Sequence, residues 1–216
     1  MAEVTKWSGV AVSMQSALAT ALTITAITKA SPGVVSYTGT DPTNGDYVFL
    51  LVEGMYQLNE VVARVANVNS GGNTFELEGI DTTLYTTFSS GTAEVITFGT
   101  SISTATTVSN SGGGCNFSDS RTPPALANPE APGAPGALPY TMAPLWNPSN
   151  AGQIAMKVAS DAQARRAFKF TFGTGGKIAV FAGYVGFDGA PGGSAQDKVT
   201  CQAVITANGR PSYYAS

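Results

Sequence analysis

A mainly β fold, a β sandwich or barrel of short antiparallel strands with one flanking α-helix, is what this sequence predicts. Three observations carry that expectation. Several short runs alternate polar and apolar residues with period two, Gly/Pro/Asn/Asp clusters punctuate them, and one stretch alone reads as a helix. Short strands separated by turn signals are the mark of sandwiches and barrels.

Met1 to Met14 reads as an arm or a first strand. Thr23 to Lys29 (TITAITK) alternates as a half-buried strand does. Ser31-Pro32-Gly33 is a turn, Val34 to Thr38 a short strand, and Asp41-Pro42-Thr43-Asn44-Gly45 a strong turn cluster. Tyr47 to Val52 (YVFLLV) is continuously apolar, which suits a strand covered on both faces. Val61 to Asn69 has two mixed faces and looks covered on both sides as well. After the Ser70-Gly71-Gly72-Asn73 turn, Thr74 to Glu78 puts Phe75 and Leu77 on one face and Glu76 and Glu78 on the other. Ala93 to Phe98 closes this first β module.

Gly99 to Gly114 is rich in Ser, Thr and Gly and reads as irregular. Eight of the 12 prolines then fall between Pro123 and Pro148. Proline donates no backbone hydrogen bond and fixes φ, so this stretch reads as an extended connector or external strap, not an internal strand or helix. Ile154 to Arg166 is the expected helix, with Ser160 and Asp161 as candidate N-caps for its second half. Ala167 to Phe172 and Lys177 to Val185 are strands joined by a Gly-rich turn, Lys198 to Ala207 is another, and Asn208-Gly209-Arg210-Pro211 ends it. The expected organisation is an N-terminal β module with an arm over 1–120, a Pro-rich connector or strap over 121–150, and a helix with strands over 151–216 completing the same sandwich.

The chain has 216 residues, enough for a sizeable core in one domain. Charged residues are 12% of it, about half the usual share, while 43% is hydrophobic and the net charge is -3. That balance is not one of disorder. It suggests a surface covered by identical neighbours, or a Ser/Thr-rich β surface that is polar without charge. Residues 1–120 carry three cations against ten acids, and residues 121–216 eight cations against four acids. Such asymmetry can set which surfaces meet in a head-to-tail array, or be accidental.

There is no histidine, and Cys115 and Cys201 form no CxxC pair, so a Cys/His metal site within one chain is excluded. Two reduced thiols are a more economical reading than a disulfide. Trp7 to Ala26 is uncharged behind Lys6, but serines, threonines and Gln15 interrupt it throughout, so it reads as neither a signal peptide nor a membrane span. Gly173 to Lys177 (GTGGK) lies between strands with Ile178 after the lysine, so a hairpin turn is favoured over a phosphate loop. Glu76, Glu78 and Asp81 cluster, but without a base or nucleophile motif they read as a solvated or lumen-lining face. Arg165 and Arg166 beside Lys157 and Lys169 suit a helix end or an interface ion pair better than a duplex-binding stripe. Tyr213 and Tyr214 suit a stacking pair or tail residues docked on a neighbour. No catalytic, cofactor or metal motif is present.

The stretch from Ala167 to Tyr214 (AFKFTFGTGGKIAVFAGYVGFDGAPGGSAQDKVTCQAVITANGRPSYY) resembles the major tail tube proteins of long-tailed, siphovirus-like bacteriophages. The start, SMQSALATALTITAITKASPGVVSYTGTDPTNGDYVFL, looks like such proteins too. The middle, Val34 to Ile96, is similar to a small β module of phage structural proteins through its NGD, QLN and GIDTTLYTTFSSGTAEV runs. The Pro-rich stretch has no counterpart in the resemblance. The resemblance implies a virion structural protein and no enzyme. It implies hexameric rings stacked into a tail tube, a conduit for the tape-measure protein during assembly and for double-stranded DNA during ejection. Implied partners are copies of itself and tail-terminator and tail-tip proteins, with no membrane and no cofactor. Implied localisation is the virion tail after synthesis in the bacterial cytoplasm. Four strands from each of six subunits would close a barrel ~160 Å in circumference at ~4.8 Å spacing and ~45° tilt. On this reading Glu76 and Glu78 are candidate lumen-facing acids, and Trp7, Arg165, Arg166, Tyr213 and Tyr214 candidate inter-subunit contacts. The alternatives are another virion structural protein, such as a head decoration or tail-tip subunit, or a carbohydrate-binding host-adhesion module.

Overall fold

The computed structural model describes residues 7, 9–119, 130–173 and 176–215. β1 (Ala11–Met14) belongs to the larger of two main sheets, and the chain leaves that sheet at once to build a separate body. Its strands are β2 (Ala17–Leu18), β3 (Leu22–Ile27), β4 (Val34–Thr38), β5 (Tyr47–Glu53), β6 (Val62–Asn69), β7 (Thr74–Leu77) and β8 (Ser90–Thr97). They pair antiparallel in the order β8-β3-β4-β7-β6-β5, and β5 pairs again with β8, so six strands close into a barrel with β2 added on β8. Closure removes the open edges a flat sheet would leave. The apolar run of β5 is covered on both faces as its sequence predicts. Val48, Leu50 and Val52 point into the barrel core, while Tyr47 and Phe49 point outward into a second apolar layer.

The chain rejoins the larger sheet at β9 (Thr100–Ser101), which pairs with β1 through Ser13↔Ser101 and Met14↔Thr100. Then come β10 (Ala105–Asn110), β11 (Cys115–Asp119), β12 (Glu130–Pro135), β13 (Leu138–Pro144), α1 (Ala151–Asp161), β14 (Arg165–Thr171), β15 (Lys177–Gly186), β16 (Ala203–Ala207) and β17 (Ser212–Ala215). The eight-stranded sheet runs β10-β13-β16-β15-β14-β1-β9, with β17 also on β15. β11 and β12 pair with each other as a separate two-stranded arm. The whole barrel is thus an insertion between two neighbouring strands of the larger sheet.

That sheet is covered on both faces at its centre, which fixes its alternation. Phe168, Phe170 and Phe181 join Met156 and Ala159 of α1 in one core. Ala167, Val180 and Ala182, the residues in between, meet the barrel's Tyr47, Phe49, Val62 and Ile96 in another. α1 and the barrel therefore lie on opposite faces of the sheet. Tyr140 stacks on Phe181 with ring centroids 4.8 Å apart, and Phe168 on Phe181 at 5.7 Å. Each such fully buried ring contributes about 1.5–3 kcal/mol.

Three sequence expectations are corrected. The Ser/Thr-rich stretch from Gly99 to Gly114 contains β9 and β10, because one covered face bearing Ala105 and Val108 suffices for an edge strand whose other residues face water. Within the Pro-rich stretch, Leu138–Pro144 is an interior strand between β10 and β16. Pro139 and Pro144 sit near its two ends, where the ladder loses little, and the Tyr140 and Met142 side chains between them are buried. Residues 120–129 of that stretch, with Pro123, Pro124 and Pro129, lie outside the described residues. So does the tip of the Gly173–Lys177 turn at 174–175, although strands flank it as expected. Strands on both sides of 121–150 share the larger sheet.

The helix starts and ends earlier than its pattern suggested. Asn150 is the N-cap, accepting from the backbone N–H of Gly152 at 3.0 Å and of Gln153 at 3.2 Å. Gln163, with φ +49°, turns the chain out of the helix, and Arg165 and Arg166 open β14. Position 152 must be glycine, because a Cβ there would lie 2.5 Å from the Ser101 carbonyl oxygen of β9.

Candidate functional site

The seam between barrel and sheet holds the most elaborate polar arrangement among the described residues. Arg64, from β6, donates through Nε and Nη2 to the Glu78 carboxylate and through Nη1 to the backbone oxygen of Ala215. Its guanidinium lies 4.8 Å from the Tyr214 ring centroid, and its backbone N–H donates to the Tyr214 hydroxyl at 2.9 Å. The paired hydrogen bonds from Arg64 hold the Glu78 carboxyl below the usual carboxylate range. Burial pushes the Tyr214 phenol up. A second clasp joins Arg165 of β14 to Glu60, whose other oxygen accepts from Asn208 Nδ2 at 2.9 Å. That guanidinium lies 4.4 Å from the Phe49 ring centroid. Lys169 Nζ lies 5.4 Å from the ring centroid of Tyr47 and 5.0 Å from that of Phe98.

This geometry redistributes the residues singled out by sequence. Glu76 and Glu78 do share the outer side of β7, opposite buried Phe75 and Leu77. Glu78 is tied to Arg64, whereas Glu76 accepts from Asn67 Nδ2 at 2.7 Å and meets no cation among the described residues. Arg165 is a strand residue spent on an ion pair within its own chain, not a helix end. Among the described residues Arg166 reaches only the Arg165 carbonyl oxygen, at 3.5 Å. The two tyrosines part company: Tyr213 is 66% exposed, while Tyr214 is 6% exposed and packs against Tyr47. Alternation along β17 turns the Tyr214 ring into the seam. Trp7 is half-exposed, its ring 5.5 Å from that of Phe172 and 6.4 Å from that of Phe170.

Several features went unread in the sequence. The arm of β11 and β12 continues the β10–β13 hairpin through a glycine waist, where Gly112 and Gly113 both adopt φ +77°. Phe117 on that arm is exposed. The ends of the larger sheet lie beside a slot of about 540 Å³ lined by Trp7, Val10, Ile102, Ala105 and Val108 among others. α1 buries Gly152, Gln153, Met156 and Ala159 and leaves Ile154 and Val158 in water. Periodicity showed the helix but not which stripe would face inward.

The exposed aromatic residues Trp7, Tyr56, Phe117, Trp146, Tyr184 and Tyr213 sit on different elements. Among the described residues no group of three or more His, Cys, Asp or Glu could hold a metal ion. No described helix is long and apolar enough to cross a membrane. What the arrangement offers is surfaces, edges and charge. The family model described as "Phage tail tube protein, TTP" matches residues 53–216. A search of curated proteins gives no match.

Proposed function

The chain belongs to the phage tail tube protein family, and from that premise we propose that it is the repeating subunit of a tail tube built from stacked hexameric rings. The lumen carries the tape-measure protein during assembly and double-stranded DNA during ejection, and tail-terminator and tail-tip proteins close the two ends. The observation that carries this reading is the family match, because it takes in the arm, α1 and every C-terminal strand of the larger sheet. Open strand edges on β10 and on the arm support it, since edges covered by neighbouring copies cease to be an aggregation hazard. So does the low charge of the chain, 12% in all.

The arm acts as a strap between copies, with Trp7, Arg166 and Tyr213 as further contacts. The wall of the lumen is acidic or neutral, with Glu76 the free acid of the pair. Each phosphate neutralised by a lysine or arginine would add salt-dependent affinity along the whole path, so a basic wall would brake the DNA. Negative-stain electron microscopy of the purified protein tests the assembly. Rings or tubes are expected, and a stable monomer at high concentration with no tubes overturns the reading. In a structure of the assembled tube, a lumen lined by Lys157, Arg166 and Lys169 would sink the sliding argument alone.

A further inference from the structure

α1 shows apolar side chains to water as well as to the core, Ile154 and Val158 standing beside the exposed Lys157–Asp161 ion pair. Its inward stripe is glycine, glutamine, methionine and alanine, while its outward stripe presents Ile154 at 49% and Val158 at 57% exposure. Two β-branched apolar residues one turn apart on the water side make a helix face that lacks its cover.

A second unsatisfied apolar group stands at one end of the barrel. Leu84 is 94% exposed and Tyr56 72%. They belong to two segments pinned together, because Thr86 donates to Gln57 Oε1 from its hydroxyl at 2.9 Å and from its backbone at 3.4 Å. Behind Leu84, buried Thr82 donates to the Thr28 carbonyl oxygen at 2.7 Å, and Tyr85 N–H donates to the Thr82 carbonyl oxygen at 3.1 Å. The chain thus holds a leucine in water on a loop anchored on both sides, rather than letting it fold back on the barrel.

The two groups cannot meet within one chain, since α1 and the barrel lie on opposite faces of the larger sheet. They can meet between copies. Residues 22–97, the barrel, carry two cations against eight acids, a balance of -6, which leaves +3 on the rest of a chain whose total is -3. Like modules repel and unlike modules attract, so a barrel approaching the sheet and helix of another copy is steered toward that pairing.

We infer that the Tyr56–Leu84 tip of one copy docks on the Ile154–Val158 face of α1 in a second copy. The inference rests on the tube-subunit reading and names one of the contacts that build the tube. The contact is heterologous, and one that lies on opposite sides of the subunit repeats without limit or closes a ring.

The test mixes two variants, Leu84→Cys and Val158→Cys, each also carrying Cys115→Ser, under tube-forming conditions and then oxidises them. A disulfide-linked dimer is expected in the mixture and in neither variant alone. Leu84→Ser is expected to raise the concentration needed for assembly at least tenfold with an unchanged thermal melt, because so exposed a side chain holds nothing in its own fold. Mixed tubes without the cross-linked dimer, or Leu84→Ser assembling like the parent, overturn the docking and leave the tube reading standing. If the parent protein itself forms no tubes, the tube reading fails and this inference with it.

Discussion

Replacing Tyr214 with alanine separates a residue that holds the subunit together from one that waits for a neighbour. Its ring is 6% exposed, packs against Tyr47 and lies under Arg64, and its hydroxyl accepts from the Arg64 backbone. Truncating a buried aromatic side chain costs about 3–5 kcal/mol. β17 lies off the main strand path, paired with β15 among the described residues, and can relax toward the gap, which argues for the lower end, about 3 kcal/mol. Tyr214→Phe keeps the ring and loses only the hydrogen bond, about 1 kcal/mol. Urea unfolding of the monomeric fraction, followed by circular dichroism and extrapolated to water, measures both. The expected order is parent, then Phe, then Ala, with the larger step between the last two. If Tyr214→Ala stays within about 0.5 kcal/mol of the parent while assembly fails, the ring belongs to an interface between copies and the packing argument is wrong.

Glu78 supplies a pH dependence. Its folded pKa lies below the unfolded value of about 4.3. The stability it contributes is therefore present above that pH and lost as pH falls through the folded value. Glu78→Gln should flatten the acid limb of a stability–pH curve and cost no more than about 1 kcal/mol at neutral pH, since the carboxylate is more than a third exposed; an unchanged acid limb would refute the clasp. Gln153 is buried, donates to Leu145 O at 2.6 Å and Thr104 Oγ1 at 3.1 Å, and accepts from Asn147 N at 3.1 Å. Gln153→Leu strands those partners and should cost about 2–3 kcal/mol in a thermal or urea melt, against which a neutral result would count. Burial raises the Cys201 thiol, while Cys115 is partly exposed. One thiol per chain should react quickly with a thiol reagent in the native protein and two in urea; two fast thiols without denaturant would contradict the fold around Cys201.

Much of the fold was legible because its signals are local. Alternation in Thr23 to Lys29 and Thr74 to Glu78, and the doubly apolar run of Tyr47 to Val52, gave their strands directly, since one or two covered faces leave a period in the sequence. Where coverage is partial the period fades, and β10 passed for a loop because only Ala105 and Val108 of its six residues face the core. Prolines in β13 misled for another reason. Their cost depends on position in the ladder, which pairing partners decide. The seam was illegible outright, for Arg64, Glu78 and Tyr214 come together only when two modules pack. Of the residues marked as contacts, Tyr213 and Trp7 remain accessible, and Tyr214 and Arg165 turned inward because strand parity set their direction.

The insertion of the barrel between β1 and β9 bears on the order in which this subunit is made. Joining those two strands across an unfolded segment of that length costs about 4 kcal/mol in chain entropy, against about 1 for a tight turn. A folded barrel removes most of the difference, since it brings its ends together where Ser16 N–H donates to the Thr97 carbonyl oxygen at 2.8 Å and Gly99 N–H to Ser16 Oγ at 3.1 Å. Every strand of the barrel is synthesised by Thr97, while strands of the larger sheet continue to Ala215. Pulse-labelled hydrogen exchange should therefore find β5 and β8 protected before β14 and β15. The strand that Arg64 grips, β17, follows every strand of the barrel in the chain, so a finished barrel can exist before its clasp does.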